Sequence, residues 1–446
     1  MNNPNHDAVP LPWTLENVPH AVLDILRGCN IRCRSCYNSQ PDRIKPLAEI
    51  EAELDALMRL RKLHSVSIVG GEITLHPELV EIVRLVRRRG LFVELCSNGV
   101  ELNDHLLAAL SEAGANVIFL HIEPNQRRPD LPDNATAEDV RRLRAEKAAL
   151  VAAHGIQAGL TVTAYSEKLA EVEGAFAFAL ESPHIGWLLV TWCRDINRMP
   201  PIHGDLATGM FAESGFAPHQ GHEEEASLRE IERLLETKHG LKPFGFIGSN
   251  LNAADRRWLS FIVGAVHRRG ELSCHKSLRP TWAEKAVLEL SRKLTGRYPF
   301  YQSQRAGQFA LHLLLNGLAG GGLAGNLKLL GRASLPGARL SAKRFLFQRP
   351  AAFDERGRVV HCQCCPDAVA KNGGLVPLCI SDQVVDGEIQ CSQTRKPLAQ
   401  PAGSARNSDD ANDHPKYIQQ GIGSVPLQHG APGQRERIYG IKDPDK

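Results

Sequence analysis

The stretch Val22-Leu-Asp-Ile-Leu26-Arg-Gly-Cys29-Asn-Ile-Arg-Cys33-Arg-Ser-Cys36-Tyr37 joins an apolar run of strand length to a C-x3-C-x2-C loop. Three thiols this close in sequence cannot all enter intrachain disulfides, but they can hold one corner of an iron–sulfur cubane. A closed four-iron cluster takes four cysteine thiolates. Three ligands with no fourth at ferredoxin spacing suggest a cluster with one open iron, much as catalytic zinc keeps one coordination position free. A zinc knuckle lacking its histidine, or three unrelated buried cysteines, are the alternatives at this point.

Outward from that loop, short apolar runs alternate with amphipathic stretches. Strands are expected at 23–26, 66–69, 91–95, 116–122, 156–163 and 187–192, and helices at 47–63, 78–89, 104–113, 137–154 and 167–180. Repeated strand–helix units imply parallel strands with right-handed crossovers. The unusual residues follow strands: Cys29–Cys36, Gly70-Gly71-Glu72, Ser97-Asn98-Gly99, Glu123 and Cys193. Chemistry collects on the loops at the carboxyl ends of barrel strands, which fits an α/β barrel or partial barrel whose open end holds these groups, though the alternation alone would also suit an open doubly wound sheet. Gly70 and Gly71 remove side chains where backbone must come close to something. Glu72 suits an ammonium group through a charge-assisted hydrogen bond, or serves as an ordinary acid at a helix start.

The Cys29/Cys33/Cys36 loop, Gly70-Gly71-Glu72 and Ser97-Asn98-Gly99 at successive strand ends together resemble the radical S-adenosylmethionine (radical SAM) superfamily over about residues 20–200. That resemblance implies a partial (β/α)6 TIM-like barrel and a [4Fe–4S] cluster on Cys29, Cys33 and Cys36. It also implies S-adenosylmethionine on the open iron, cleaved reductively to a 5′-deoxyadenosyl radical that abstracts a substrate hydrogen. Gly70, Gly71 and Glu72 would then hold the methionine amino group, and Ser97 and Asn98 would approach the ribose or carboxylate. The family's aromatic before the third cysteine is replaced by Ser35, which leaves Tyr37 as the candidate adenine neighbour. A low-potential donor, flavodoxin or ferredoxin, is implied as partner. The rival reading is a non-catalytic iron–sulfur or zinc scaffold that keeps the fold.

The chain has 446 residues, which suggests two domains with extensions. A formal net charge of +3 is too small to imply nucleic-acid binding. Eleven cysteines fall in clusters, which favours metal ligation in a reducing cytoplasm over a disulfide scaffold. Residues 1–12 do not read as a signal or transit peptide. Residues 311–330 come nearest to a membrane span, but Asn316, a glycine run, Asn326 and Lys328 interrupt them; a buried helix pair is expected there in preference to lipid contact.

The expected organisation is an N-terminal arm (1–19), the core barrel (20–200), a helical elaboration (201–343), a Cys-rich subdomain (344–395) and a disordered tail (396–446). Within the elaboration, 226–239, 253–269 and 281–294 read as helices. The subdomain carries His361-Cys362-Gln-Cys364-Cys365-Pro-Asp367, then Cys379 and Cys391. Cys362, Cys364, Cys365 and Cys379 are candidates for an auxiliary iron–sulfur cluster, for a zinc site, or for buried thiols. This part resembles the C-terminal region of tetraether-lipid synthase-like and methanopterin-methylase-like radical enzymes, and more distantly the molybdenum-cofactor cyclase group. That implies a small-molecule or lipid-like substrate and carbon–carbon bond formation or methylation. The peptide-maturation group's C-x2-C-x5-C-x3-C array is absent, which does not favour a peptide. Cys96 and Cys193 are further mouth candidates and Trp192 and Arg194 could reach the substrate, each with a packing or surface role as its plain alternative; His121 is expected to pack in the barrel.

Overall fold

Six parallel strands with crossover helices form the half of the protein that carries the cysteine loop. They are β2 (His20–Asp24), β3 (Ser65–Val69), β4 (Phe92–Ser97), β5 (Val117–His121), β6 (Gln157–Ala164) and β7 (Ile185–Trp192), preceded by β1 (Val9–Pro10). Between them run α1 (Leu47–Leu60), α2 (Leu79–Arg88), α3 (Asp104–Ala113), α4 (Ala137–Ala153) and α5 (Leu169–Glu181). The computed structural model describes residues 8–33, 36–38, 42–124, 126–165, 169–193, 228–295, 306–354 and 358–384. Ser35, Arg194, Cys391 and the expected tail at 396–446 lie outside the described residues.

Strand alternation separates two faces. Ala21 and Leu23, Val66 and Ile68, Val93 and Leu95, and Ile118 and Leu120 pack in one buried core with helix residues such as Ile50, Leu54, Ile82 and Leu107. The opposite face is polar along several strands, with His20 and Asp24, Ser65 and Ser67, and Glu94 all buried. Local signals fix the helices: Asn103 caps α3, and Thr136 and Asp139 form a reciprocal capping box on α4.

The sheet continues past the six repeats. After α6 (Leu228–His239) come β8 (Gly245–Ile247), β9 (Trp258–Arg268) and β10 (Glu271–Ser277). Then follow α7 (Trp282–Thr295), α8 (Ala306–Asn316), α9 (Leu323–Ala333) and β11 (Ala338–Gln348). β11 lies parallel to β7 and antiparallel to β9, giving the open order β1-β8-β9-β11-β7-β6-β5-β4-β3-β2, with β10 also on β9. Two expectations are corrected here. Residues 253–269 are not a helix, and the segment up to 343 is not a purely helical elaboration. β9 is buried along nearly all its length, and a strand covered on both faces loses the alternation that distinguishes it from a helix. The expected boundary at 344 also falls inside β11.

Two hairpins follow, β12 (Ala352–Phe353) with β13 (Val359–Val360), and β14 (Ala368–Lys371) with β15 (Gly374–Pro377). The chain between them spans the opening of the sheet. At one edge Cys362 bridges to Ser249 and Gln363 N–H donates to Gly248 O at 2.9 Å. At the other, buried Arg61 donates to His20 O at 2.8 Å and Pro366 O at 3.3 Å, and to Leu15 O at 2.9 Å. Among the described residues, no helix is long and apolar enough to cross a membrane.

Candidate active site

The cysteine loop is seated by backbone contacts to the end of β3. Gly71 N–H donates to Leu26 O and Glu72 N–H to Gly28 O, both at 2.9 Å. A Cβ at Gly71 would sit 2.0 Å from Gly28 O, and one at Gly70 would sit 2.5 Å from Leu26 O. The close approach that requires both glycines is therefore to the cysteine loop's own backbone. Tyr37 hydroxyl donates to Gly70 O at 3.2 Å, a second tie between the same segments.

Glu72 has no exposed surface. Its carboxylate accepts from Thr74 N–H (3.1 Å), Thr74 Oγ1 (2.7 Å), Ser97 Oγ (2.7 Å) and Asn98 N–H (2.6 Å). It both caps the short helical turn Ile73–Leu75 and clasps the loop after β3 to the loop after β4. Asn98 Nδ2 donates to Asn30 Oδ1 at 2.7 Å and lies 3.9 Å from Cys29 Sγ. Ser97 Oγ also receives Gly99 N–H at 3.0 Å.

The loop after β5 supplies neighbours that sequence reasoning ranked low or missed. Gln126 Nε2 lies 3.6 Å from Cys33 Sγ, and its carbonyl receives Arg32 N–H at 2.9 Å. His121 Nδ1 is 4.0 Å from Cys33 Sγ, and its Nε2 is 3.3 Å from Glu123 Oε2. Burial opposes charge on His121, but Glu123 and the Cys33 sulfur outweigh it and raise its pKa to about 10. Glu123 is held below its ordinary value, against burial, by His121 and by a hydrogen bond from Thr163 N–H. His121 thus sits beside Cys33, where barrel packing alone was expected. Arg128 is buried and donates to Asn98 O (2.9 Å), His121 O (3.2 Å) and Gln126 Oε1 (2.9 Å), so it ties together the loops after β4 and β5. No spacing signal in the sequence marks it.

A cavity of about 560 Å³ opens here, lined by Arg32, Cys33, Glu123, Gln126, Arg128 and neighbours. Cys29 and Cys36 are exposed and Cys33 is half-buried. The three sulfurs lie within electrostatic reach of one another. A family model described as the radical SAM superfamily matches residues 23–170. Residues 23–170 therefore form a radical SAM domain.

The chain is similar to the PqqA peptide cyclase of Gluconobacter oxydans, at 31% identity over 180 residues, covering 38% of this chain and 48% of the relative. It is also similar to the GTP 3′,8-cyclase of Chlorobaculum tepidum, at 31% identity over 114 residues, covering 25% and 34%. The chain thus spans less than half the length of these curated relatives. Streptococcus suis SuiB bound to S-adenosylmethionine matches at 16% identity over 45% of this chain and 46% of that one, with a TM-score of 0.31.

The residues present fit the radical SAM cofactors. Among the described residues, no three His, Cys, Asp or Glu side chains converge on a single ion. A cubane binds each thiolate through a different iron, so its cysteines surround it instead of meeting at a point. The amide donors of Asn98 and Gln126 beside Cys29 and Cys33 suit thiolate ligands, since hydrogen bonds to sulfur tune such clusters. Glu72 is the exception to the expected set: its carboxylate oxygens are already occupied by four donors.

The second cysteine group is divided. Cys362 and Cys364 are buried in a cluster with Val18, Ile247 and Trp258. Burial pushes the Cys364 thiol up to about 12. Cys365 is hydrogen-bonded to Cys362 and within electrostatic reach of Cys379, whose sulfur receives Ala351 N–H at 3.3 Å. Of the remaining candidates, Trp192 is packed in the main core. Cys96 lies near Phe119 and Trp187 on the opposite face of the sheet. Cys193 N–H donates to Ala164 O at 2.7 Å at the end of β7.

Proposed function

We propose that the protein is a radical SAM enzyme acting on a small-molecule or lipid-like substrate. The observation that carries this reading is the gathering of Cys29 and Cys36 around Cys33, which lines the cavity, on loops clasped together by Glu72, Ser97, Asn98 and Arg128. Cys29, Cys33 and Cys36 would hold a [4Fe–4S] cluster. Gly70, Gly71, Ser97, Asn98 and Tyr37 would lie along bound S-adenosylmethionine. When bound, the pair supplies a 5′-deoxyadenosyl radical that abstracts hydrogen from the substrate, fed by a low-potential flavodoxin or ferredoxin.

The chain's own residues do the positioning. Glu72 keeps the loops after β3 and β4 at one separation, and the two glycines let the cysteine loop rest on them. Arg128 and Gln126 hold the third loop against Cys33. The His121–Glu123 pair sets an imidazole beside the Cys33 sulfur. Carbon–carbon bond formation or methylation is the favoured reaction, on the resemblance of the C-terminal segment. The curated relatives are named for a peptide cyclase and a GTP cyclase, so they share no single substrate class. Cys362, Cys364, Cys365 and Cys379 are the set proposed for an auxiliary iron–sulfur cluster, whose cysteines bind different irons and need not converge on one ion.

Anaerobic reconstitution with iron and sulfide, followed by electron paramagnetic resonance of the reduced protein, tests the site. The expected result is a cubane signal whose g-values change when S-adenosylmethionine is added. A signal indifferent to S-adenosylmethionine rejects the reading.

A further inference from the structure

Half of the buried residues of helices α7, α8 and α9 are polar, and these are joined. Glu284 Oε1 is 3.1 Å from His312 Nε2 and accepts from Asn316 Nδ2 at 2.6 Å. Asn326 Nδ2 donates to Asn316 Oδ1 at 3.1 Å and to Leu313 O at 2.7 Å. Lys276 closes the network on Asn326 Oδ1 and on Gly321 O at 3.0 Å. Only a small apolar layer, including Phe309, Leu313 and Leu329, lies beneath them against the sheet.

Their outward residues are leucines. On α8 and the glycine turn after it, Leu311, Leu315 and Leu318 are 57%, 55% and 72% exposed. Steps of four and three place them on one helical face. Leu323 and Leu327 continue the exposed surface on α9, and Leu290 and Leu294 on α7, with Trp282 near the start of α7. The helix pair expected to be buried at 309–330 therefore carries leucines on its outward side as well as in its buried layer. Exposed apolar side chains in this number on neighbouring helices mark an interaction site.

The charge around it selects the occupant. Residues 276–339 contain ten lysines and arginines against two glutamates, in a chain whose net charge is only +3. Glu284 is buried in the network, and Glu289 is paired with Arg292 at 2.7 Å. Arg279, Lys285, Lys293, Lys328 and Arg332 are exposed. A second copy docking through the same patch would set like charges against each other in a self-complementary interface. An anionic lipid surface accepts both the leucines and the cations.

We propose that the α7–α9 face is a membrane-docking surface that seats the protein on a bilayer containing anionic lipid, without spanning it. This is independent of the radical chemistry proposed above.

The test is flotation of the full-length protein with phosphatidylcholine vesicles, with and without phosphatidylglycerol. Binding is expected to the phosphatidylglycerol vesicles and to weaken as salt rises. Substituting Leu311→Ser, Leu315→Ser and Leu318→Ser together is expected to lower partitioning on the order of ten-fold. The pair Lys328→Glu and Arg332→Glu, which touches no packed leucine, is expected to lower phosphatidylglycerol binding on the order of ten-fold as well. An unchanged melting midpoint shows that each variant is folded; if the leucine variant unfolds, the charge variant decides. Parent protein that fails to float with phosphatidylglycerol, or a folded charge variant that floats as the parent does, overturns the proposal. So does light scattering that shows the patch mediating a dimer.

Discussion

Arg27, two residues before the first cysteine, grips Asp382 from the far end of the described chain. Its two terminal nitrogens donate to the two carboxylate oxygens at 3.2 and 2.8 Å, and one of them also lies 2.9 Å from Asp24. Both partners are largely buried. The C-terminal segment is thereby fastened to the cysteine loop itself. Removing Asp382 takes away two charge-assisted hydrogen bonds and leaves Arg27 to Asp24, at a cost on the order of 1–3 kcal/mol. Asp382→Ala is expected to lower the melting midpoint and to reduce iron retained per chain after desalting. Full iron retention would show that the cysteine loop does not depend on this contact.

Gly71→Ala tests why the glycines are there. The added methyl would overlap Gly28 O and Arg27 O, backbone atoms that can yield only by moving the cysteine loop. Overpacking of this kind costs about 1–3 kcal/mol. The expected outcome is a folded protein with a lower melting midpoint that reconstitutes poorly, read as iron and sulfide per chain. If the glycine instead only made room for S-adenosylmethionine, cluster content would be normal and ligand affinity alone would fall.

Glu72→Gln keeps the shape of the clasp but replaces acceptor capacity with an amide donor. At least one buried donor among Thr74, Ser97 and Asn98 then loses its partner, on the order of 1–3 kcal/mol. The expected result is a lower melting midpoint even before cofactors are added. An unchanged apo midpoint would return Glu72 to a purely ligand-binding role.

Glu94 gives a pH signature away from the cysteine loop. Burial raises its pKa to about 7, against a hydrogen bond from Ser67 Oγ at 3.0 Å. The unfolded chain titrates lower, so the folded state holds the extra proton between the two values. The associated stability is full at acid pH and is lost as pH rises through 7. Glu94→Gln removes that loss, and its stability relative to the parent is expected to grow from pH 5 to pH 8 by about 1–3 kcal/mol. Thermal melts at both pH values check it; an offset that does not vary with pH would contradict the assignment.

Much of this arrangement is legible in the residues. The helix at 104–113 coincides with α3, and all six parallel strands lie where the apolar runs indicated. Those strands have helix-side faces whose periodicity is local. β9 was hidden because burial on both faces erases alternation, although its hairpin partner β10 follows it directly. The loops of the site were legible as motifs, but their wiring was not. Gln126, Arg128 and Arg27 act through long-range hydrogen bonds that no local spacing records. The outward leucines of α8 and α9 were equally hidden, since a helical period gives a face without saying which way it turns.

The most direct measurement of the central claim is 5′-deoxyadenosine released by the anaerobically reconstituted, reduced protein in the presence of S-adenosylmethionine, compared with Cys33→Ala. The expected result is product from the parent chain and none above background from the variant. Equal product from both, or none from a parent with a full iron–sulfur complement, would contradict it.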